Sequence, residues 1–386
     1  MRLLLSAFIG SHNLGDEAIA EIVINKLEAT PDVELTVLSV NPEKTRKLSQ
    51  NKITQIRSAG LGEFVRLLRH NDALVLGGGG IIQDESSIIN MIYYYLQMLV
   101  AKRLFRKPIF WIFVGVGPIK TSLSHLMLRD MGRMATHALV RDKESATLLM
   151  SHGFGSDQVT TSYDIVFNYP VPATSSARYP GEYILFCPRD WFFVATITPT
   201  RFALKRARKD PKSRLQVYRL HLLQLVVKCL QDNPELTIVG VAFFYSQDLN
   251  LLQWIQDNLS TEYADRYIVE TKELTTREFI VLAKKSAAVL GVRLHSLILG
   301  AVAGRPLVPL VYSAKVSNLV NYLGIGTFTT HLDRPDFNVQ ATVANVVKVL
   351  RTKPVQSDKM LADVRGANLE AFDVLVESIR TTTARC

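Results

Sequence analysis

Arg293 and His295 stand two residues apart in the segment Val289-Leu-Gly291-Val-Arg293-Leu-His295-Ser296, at the end of an apolar run. An arginine fork suits a carboxylate or a phosphate, and an imidazole exchanges protons near neutral pH. Residues two apart share a face only in extended backbone, so both side chains meet one ligand if this stretch is not yet helical, which Gly291 makes plausible. Lys315 follows the next apolar run, just past Val311-Tyr312-Ser313. Far upstream, Val140-Arg141-Asp142-Lys143-Glu144-Ser145 puts another arginine at the end of a short apolar stretch, with Asp142 and Ser145 suited to starting a helix. Arg141, Arg293, His295 and Lys315 are therefore candidate ligands of an anion, and His295 is a candidate acid or base. Each also has a plainer reading: a salt bridge for Arg141, an exposed side chain for Lys315, a structural histidine for His295.

Two glycine-rich junctions could bring backbone close to the same ligand. The first is Gly10-Ser-His-Asn13-Leu-Gly15-Asp16-Glu17. Here Asp16 either caps the helix that follows or presents a carboxylate to the cleft, and Asn13 is bulkier than a simple turn requires. The second, Leu74-Val-Leu-Gly77-Gly78-Gly79-Gly80-Ile-Ile-Gln-Asp84, has four consecutive glycines, an entropic cost that a plain turn does not need. It is expected to be a loop at a strand end, with Gly78 and Gly79 offering N–H groups to an anion and Asp84 either facing the ligand or capping a helix. Neither junction has the spacing of a Walker A loop or of a Gly-x-Gly-x-x-Gly dinucleotide site.

These residues need elements to hold them. The first half alternates strand candidates (2–9, 33–40, 53–56, 73–76, 109–114, 138–140) with amphipathic helical stretches, and the second half repeats the theme from Tyr183 to Val311. Near-continuous apolar strands separated by helices imply parallel sheets covered on both faces, whose ligands sit at the carboxyl ends of the strands. The expected organisation is an N-terminal α/β domain over residues 1–168, a Pro/Ser/Gly-rich linker over 169–181, a C-terminal α/β domain over 182–345, and C-terminal helices over 346–386 that pack back on the first domain. Both domains read as doubly wound, with Arg141 on one wall of the cleft between them and His295 and Lys315 on the other.

Composition narrows the partners. With 48% hydrophobic residues among 386, the chain has real cores and is not disordered. Its longest apolar stretches are about half the roughly 20 residues needed to cross a bilayer, and the start reads as a buried strand rather than a signal peptide. Cys187, Cys229 and Cys386 are an odd number, far apart and without metal-ligand spacing, which points to a reducing, cytoplasmic setting and no metal. The net charge of +10 favours an anionic partner, and residues 201–214 hold seven basic side chains and one acid just after Trp191-Phe-Phe193. That segment suits an anionic membrane surface or a lipid-linked sugar; no nucleic-acid motif is present.

Taken together, Asn13-Leu-Gly15-Asp16, the Gly77–Gly80 run, Gly115-Val-Gly-Pro118, Arg141-Asp142, Arg293-Leu-His295 and Tyr312 with Lys315 resemble the polysaccharide pyruvyl transferases, in particular the CsaB type. The resemblance implies two Rossmann-like domains facing a cleft, the arrangement called GT-B. It also implies an enzyme that uses phosphoenolpyruvate as co-substrate, with no cofactor, to build a pyruvate ketal on a sugar of a cell-wall or exported polysaccharide. The acceptor would be a lipid-linked or polymeric saccharide, an N-acetylmannosamine unit for the CsaB type, and the enzyme cytoplasmic or peripheral on the inner face of the membrane. The family's donor-binding arginine, histidine and lysine map onto Arg141, His295 and Lys315. In this scheme His295 protonates C3 of the donor, and Asp16 is the expected base, with Glu17 or Asp84 behind it. The segment Asp164-Ile-Val-Phe167 departs from the family pattern in lacking a proline or small residue after the aspartate, and the basic 201–214 segment has no counterpart. The rival reading is a GT-B glycosyltransferase that uses a nucleotide sugar.

Overall fold

Buried strands organise the molecule. In the computed structural model, which describes residues 1–48, 54–57, 61–85, 88–173, 178–190, 214–332 and 337–385, the central strands of both sheets are almost wholly buried. Strands covered on both faces pair in parallel, because the crossover helices must lie against the sheet.

The first sheet is built from β1 (Arg2–Ser6), β2 (Glu34–Ser39), β3 (Thr54–Arg57), β4 (Ala73–Leu76), β5 (Gly79–Ile82), β6 (Ile109–Val116), β7 (His137–Val140) and β8 (Val159–Thr161). All pairs are parallel, in the order β3-β2-β1-β4-β6-β7-β8. The crossovers are α1 (Leu14–Ala29), α2 (Pro42–Arg46), α3 (Leu61–His70), α4 (Ile88–Leu99, continuing into a π-helical turn at Val100–Leu104), α5 (Ser122–Met134) and α6 (Lys143–Ser151).

The glycine run is not the loop expected from its composition. β4 pairs with Ile109–Trp111 of β6, and after a break at Gly77 and Gly78 the chain resumes as β5 along the far end of the same strand, Gly79 opposite Val114 and Ile82 opposite Val116. Opposite the break β6 is bulged, with Phe113 at φ 51°, and Gly79 at φ 89° takes a conformation that a side chain would strain.

The second sheet runs β11-β10-β9-β12-β13-β14, again parallel: β9 (Tyr183–Cys187), β10 (Thr237–Val241), β11 (Tyr267–Glu270), β12 (Ala288–Gly291), β13 (Leu307–Val311) and β14 (Thr330–His331). Its helices are α7 (Arg214–Asp232), α8 (Tyr245–Asp257), α9 (Thr276–Lys285), α10 (Leu294–Val302), α11 (Ala314–Leu323) and α12 (Val339–Thr352). Strand order reverses between β1 and β4 in the first sheet and between β9 and β12 in the second. These switch points are where doubly wound sheets open a crevice beyond their carboxyl ends.

The last helix, α13 (Asp358–Thr383), returns to the first domain. The expected break at 345/346 falls inside α12, which stays with the second domain as far as Thr352 and ends on Lys353 in the left-handed region. On α13, fully buried Asn368 accepts from Ser162 Oγ (2.6 Å) and Tyr163 N (3.0 Å) and donates to Asp164 O (3.2 Å) and Asn168 Oδ1 (2.7 Å). Arg365 Nε adds a bond to Phe167 O (2.8 Å).

Backbone bonds join the two domains directly. Leu14 N donates to Phe243 O (2.8 Å) and Tyr245 N to His12 O (3.0 Å), so residues 12–14 lie antiparallel to 243–245. Among the described residues no helix is long and apolar enough to cross a membrane.

Candidate functional site

The junction from β1 to α1 presents the first acid. Asn13 is the N-cap: its side chain accepts from Gly15 N (3.3 Å) and its amide donates to Asp16 Oδ2 (2.6 Å). Asp16 is thus not the cap, one of the two roles its position allowed. It sits in the first turn with its carboxyl against the glycine run, and a Cβ on Gly79 would lie 2.8 Å from its Oδ1. The neighbouring Glu17 turns away from this point and is buried near Lys44 (3.6 Å).

Arg141 leaves the end of β7 and crosses under β6. Its guanidinium lies where a side chain on Gly115 would be, with a Cβ there only 2.5 Å from Nε, and Nη1 donates to Asp164 Oδ2 (2.8 Å). Both partners are buried, so Arg141 is fixed rather than free to sweep the cleft.

The second domain supplies the opposite wall. Arg293 is the extended N-cap residue of α10 and His295 lies in that helix's first turn, so the segment is half extended and half helical. The two side chains consequently part. Arg293 donates from Nε (2.9 Å) and Nη2 (2.5 Å) to fully buried Asp248, while His295 packs into the space left by Gly15, where a Cβ would lie 2.0 Å from Nδ1. His295 Nε2 stands 3.4 Å from Asp164 Oδ2, an ion-pair distance too long for a good hydrogen bond. Lys315, in the first turn of α11, reaches across the cleft: a Cβ on Gly80 would lie 3.1 Å from its Nζ and 3.9 Å from Arg141 Nη2.

Four glycines from the first domain thus open the room that these charged groups share. Gly15 admits His295, Gly79 admits Asp16, Gly80 admits Lys315 and Gly115 admits Arg141. Gly78 does something else. A Cβ there would meet Ile19 at 2.5 Å and Phe113 O at 3.1 Å, so it serves close packing of α1 on the sheet. Asp84 is likewise turned from the cleft, accepting from Lys120 N (2.7 Å) and Thr121 N (2.8 Å) to fix the start of α5.

The charges set one another. Burial pushes the Asp16 carboxyl up, against the pull of His295, Arg141 and Arg293. Asp164 goes the other way: burial alone would raise it, but His295 and Arg141 outweigh burial and hold it far below the usual carboxylate range. Burial, reinforced by repulsion from Arg141, brings the Lys315 ammonium down to about 8. The cleft therefore contains one carboxylate fixed as an anion, one inclined to hold a proton, and a lysine that gives up its proton easily.

Three site residues were not picked out as such in the sequence. Asp164 follows β8 and ties the Arg141 wall to His295. Arg189, at the end of β9, hydrogen-bonds the Tyr312 hydroxyl and stacks over its ring at 4.7 Å. The Arg189 loop is held by Tyr218 Oη to Arg189 O (2.9 Å) and by a bidentate, buried Arg219–Asp190 pair (2.9 and 2.5 Å). Asp248 holds Arg293. The signal for Arg189 was its place just past a strand's carboxyl end, the same signal that marked Arg141. Asp164 stood out only as the aspartate of a segment that departs from the family pattern, and nothing local marks Asp248. Residues 201–213 of the basic segment and Trp191–Phe193 lie outside the described residues, and Arg214 opens α7. Among the described residues no three His, Cys, Asp or Glu side chains converge on a metal-sized point.

Solved structures similar to this chain include complexes with UDP or a UDP-sugar. The chain superposes on the UDP-GlcNAc 2-epimerase of Neisseria meningitidis, bound to UDP-GlcNAc, with a TM-score of 0.64 at 10% identity, covering 98% of this chain and all of the other. It superposes on Staphylococcus aureus MnaA with UDP at 0.61 and 13%, covering 95% and 91%. For Anabaena Alr3699/HepE with UDP-glucose the values are 0.59 and 12%, covering 99% and 100%. At such identities the likeness shows the fold alone, two Rossmann-like domains in the GT-B arrangement. No curated protein matches the sequence. The model of one family, described as polysaccharide pyruvyl transferase, matches residues 13–314, from the Asn13 cap to the start of α11. On that match over most of its length, the chain belongs to the polysaccharide pyruvyl transferase family.

Proposed function

We propose that the chain transfers the pyruvyl group of phosphoenolpyruvate to two hydroxyls of a sugar, forming a cyclic ketal and releasing phosphate. The observation that carries this reading is the meeting of Lys315 Nζ and the Arg141 guanidinium over Gly80, close to Asp16 and His295. A donor with a carboxylate and a phosphate needs converging cations, and its enol needs an acid. Arg141 and Lys315 supply the charge from opposite walls, and Arg189 adds a third cation near Lys315.

In this reading protonated His295 gives its proton to C3 of the donor, leaving C2 electrophilic. A sugar hydroxyl attacks C2 and yields its proton to Asp16, whose carboxylate burial makes more basic than an ordinary one. Phosphate departs with the former enol oxygen toward Lys315 and Arg141. A second hydroxyl then closes the ketal, and its proton leaves through the same groups. Asp164 keeps Arg141 and His295 oriented throughout. Arg293, its fork occupied by Asp248, positions the start of α10. The acceptor is a lipid-linked or polymeric saccharide of a cell-wall or exported polysaccharide, as in the CsaB type, handled at the inner face of the membrane.

Thermal unfolding with candidate ligands tests the donor. Phosphoenolpyruvate should raise the melting temperature, an effect that Arg141→Ala and Lys315→Ala should each abolish. Stabilisation by UDP-sugars, with none by phosphoenolpyruvate, would support a nucleotide-sugar glycosyltransferase instead.

A further inference from the structure

The helix pair α4–α5 carries an apolar strip that the fold does not use. Leu96 and Leu104 on α4 and its π-helical turn are 43% and 70% exposed, and Leu123 and Leu126 on α5 are 52% and 61% exposed. The helices pack side by side, joined where Tyr95 Oη donates to Asp130 Oδ2 (3.0 Å) and Arg103 lies 3.6 Å from Asp130. Leu123 is one turn before Leu126, which is one turn before Asp130, so the α5 leucines lie on the side of that helix that carries the seam, and Leu96 and Leu104 are exposed on the neighbouring α4.

The charge around that seam has one sign. Residues 88–107 and 122–134 include Lys102, Arg103, Arg106, Lys107, Arg129 and Arg133, but a single carboxylate, Asp130, already engaged by Arg103 and Tyr95. Arg69, over the Phe105 ring at 5.8 Å, adds a further cation at the same end. A second copy of this face would bring like charges together, whereas an anionic surface neutralises them. Exposed leucines ringed by lysine and arginine are the pattern of a helix surface lying in a bilayer interface, not across it.

We propose that the α4–α5 face docks the protein on anionic phospholipid bilayers. α4 follows β5 and α5 follows β6, so the starts of both helices face the carboxyl edge of the sheet, where the site lies. Arg103–Lys107 and Arg133 lie at the other ends of the helices, so docking by this face lays the flank of the first domain on the lipid headgroups. The proposal does not rest on pyruvyl transfer, because membrane binding is read without donor or acceptor.

The test is flotation of the full chain with vesicles of phosphatidylcholine, alone or mixed with phosphatidylglycerol. The wild type should bind the mixed vesicles, bind phosphatidylcholine weakly, and lose binding as salt is raised. Leu96→Glu/Leu126→Glu should lower binding to mixed vesicles at least about tenfold with an unchanged melting temperature. Arg129→Glu/Arg133→Glu should do the same through charge alone. Wild-type failure to bind mixed vesicles, or undiminished binding by both double variants, would overturn the proposal. So would loss of binding only on charge reversal in Arg201–Arg214. A dimer in solution that the leucine variant turns into a monomer would make the face a contact between copies and overturn it as well.

Discussion

Asp164 is the residue on which the site's charges turn. It is buried, lies 2.8 Å from Arg141 and 3.4 Å from His295, and is held strongly anionic by them. Asp164→Asn removes the counter-charge of a buried guanidinium, and breaking such a pair costs about 3–5 kcal/mol. Denaturant unfolding should show a loss of that order, and turnover should fall at least about a hundredfold as His295 loses its orientation. Lys315 makes a prediction in pH. Its lowered value means that the folded chain binds fewer protons there than the unfolded chain between about pH 8 and the ordinary lysine range. This residue therefore costs stability below about pH 8, and less as pH rises. Donor binding runs the other way: calorimetry should find phosphoenolpyruvate bound tightly below about pH 8 and more weakly above it. Lys315→Arg should flatten that dependence, because a guanidinium keeps its charge. Gly15→Ala places a methyl group 2.0 Å from His295 Nδ1 and should cost turnover far more than stability, since the imidazole must move.

At the scale of elements, α13 holds the Asp164 segment in place. Asn368 satisfies four polar groups of residues 162–168. Asn368→Ala leaves several of them buried without partners, at a cost of about 1–3 kcal/mol each, so a stability loss of about 3 kcal/mol and a fall in turnover are expected in parallel unfolding and activity measurements. The elements were the most legible part of the sequence. Apolar runs such as Ile109–Val114 and Ala73–Leu76 read as strand candidates covered on both faces, and the doubly wound class follows from their alternation with helices. The residues past strand ends were legible for the same reason, and Arg141, Asp16, His295 and Lys315 do border one space. What the sequence did not disclose depends on distant partners. Asp84 could face a ligand or cap a helix, and only the 120–121 turn decides. Arg293 and His295 are two apart, but α10 begins between them and sends one to Asp248 and the other to Gly15. Glycines 77–80 read as a loop because composition does not show that β6 continues alongside to receive β5.

Across the whole molecule, the two domains meet through the 12–14 and 243–245 backbones and through a group of charges that includes His12. Glu273 of the second domain takes His12 (2.8 Å) and Lys44 of the first, and Lys44 is shared with buried Glu17. Half-exposed pairs of this kind contribute about 0–1 kcal/mol to stability. Their consequence should be geometric: Glu273→Ala should leave the melting temperature nearly unchanged but raise the KM for phosphoenolpyruvate, because Lys315 and Arg141 of the proposed donor site come from different domains. The most direct measurement of the central claim is acceptor-dependent phosphate release from phosphoenolpyruvate, followed for the wild type and His295→Ala across lipid-linked and polymeric saccharides. The account predicts one phosphate per ketal formed by the wild type, and at least about a hundredfold loss in His295→Ala with donor binding retained. No phosphate release with any of these acceptors, or near-normal turnover by His295→Ala, would contradict it.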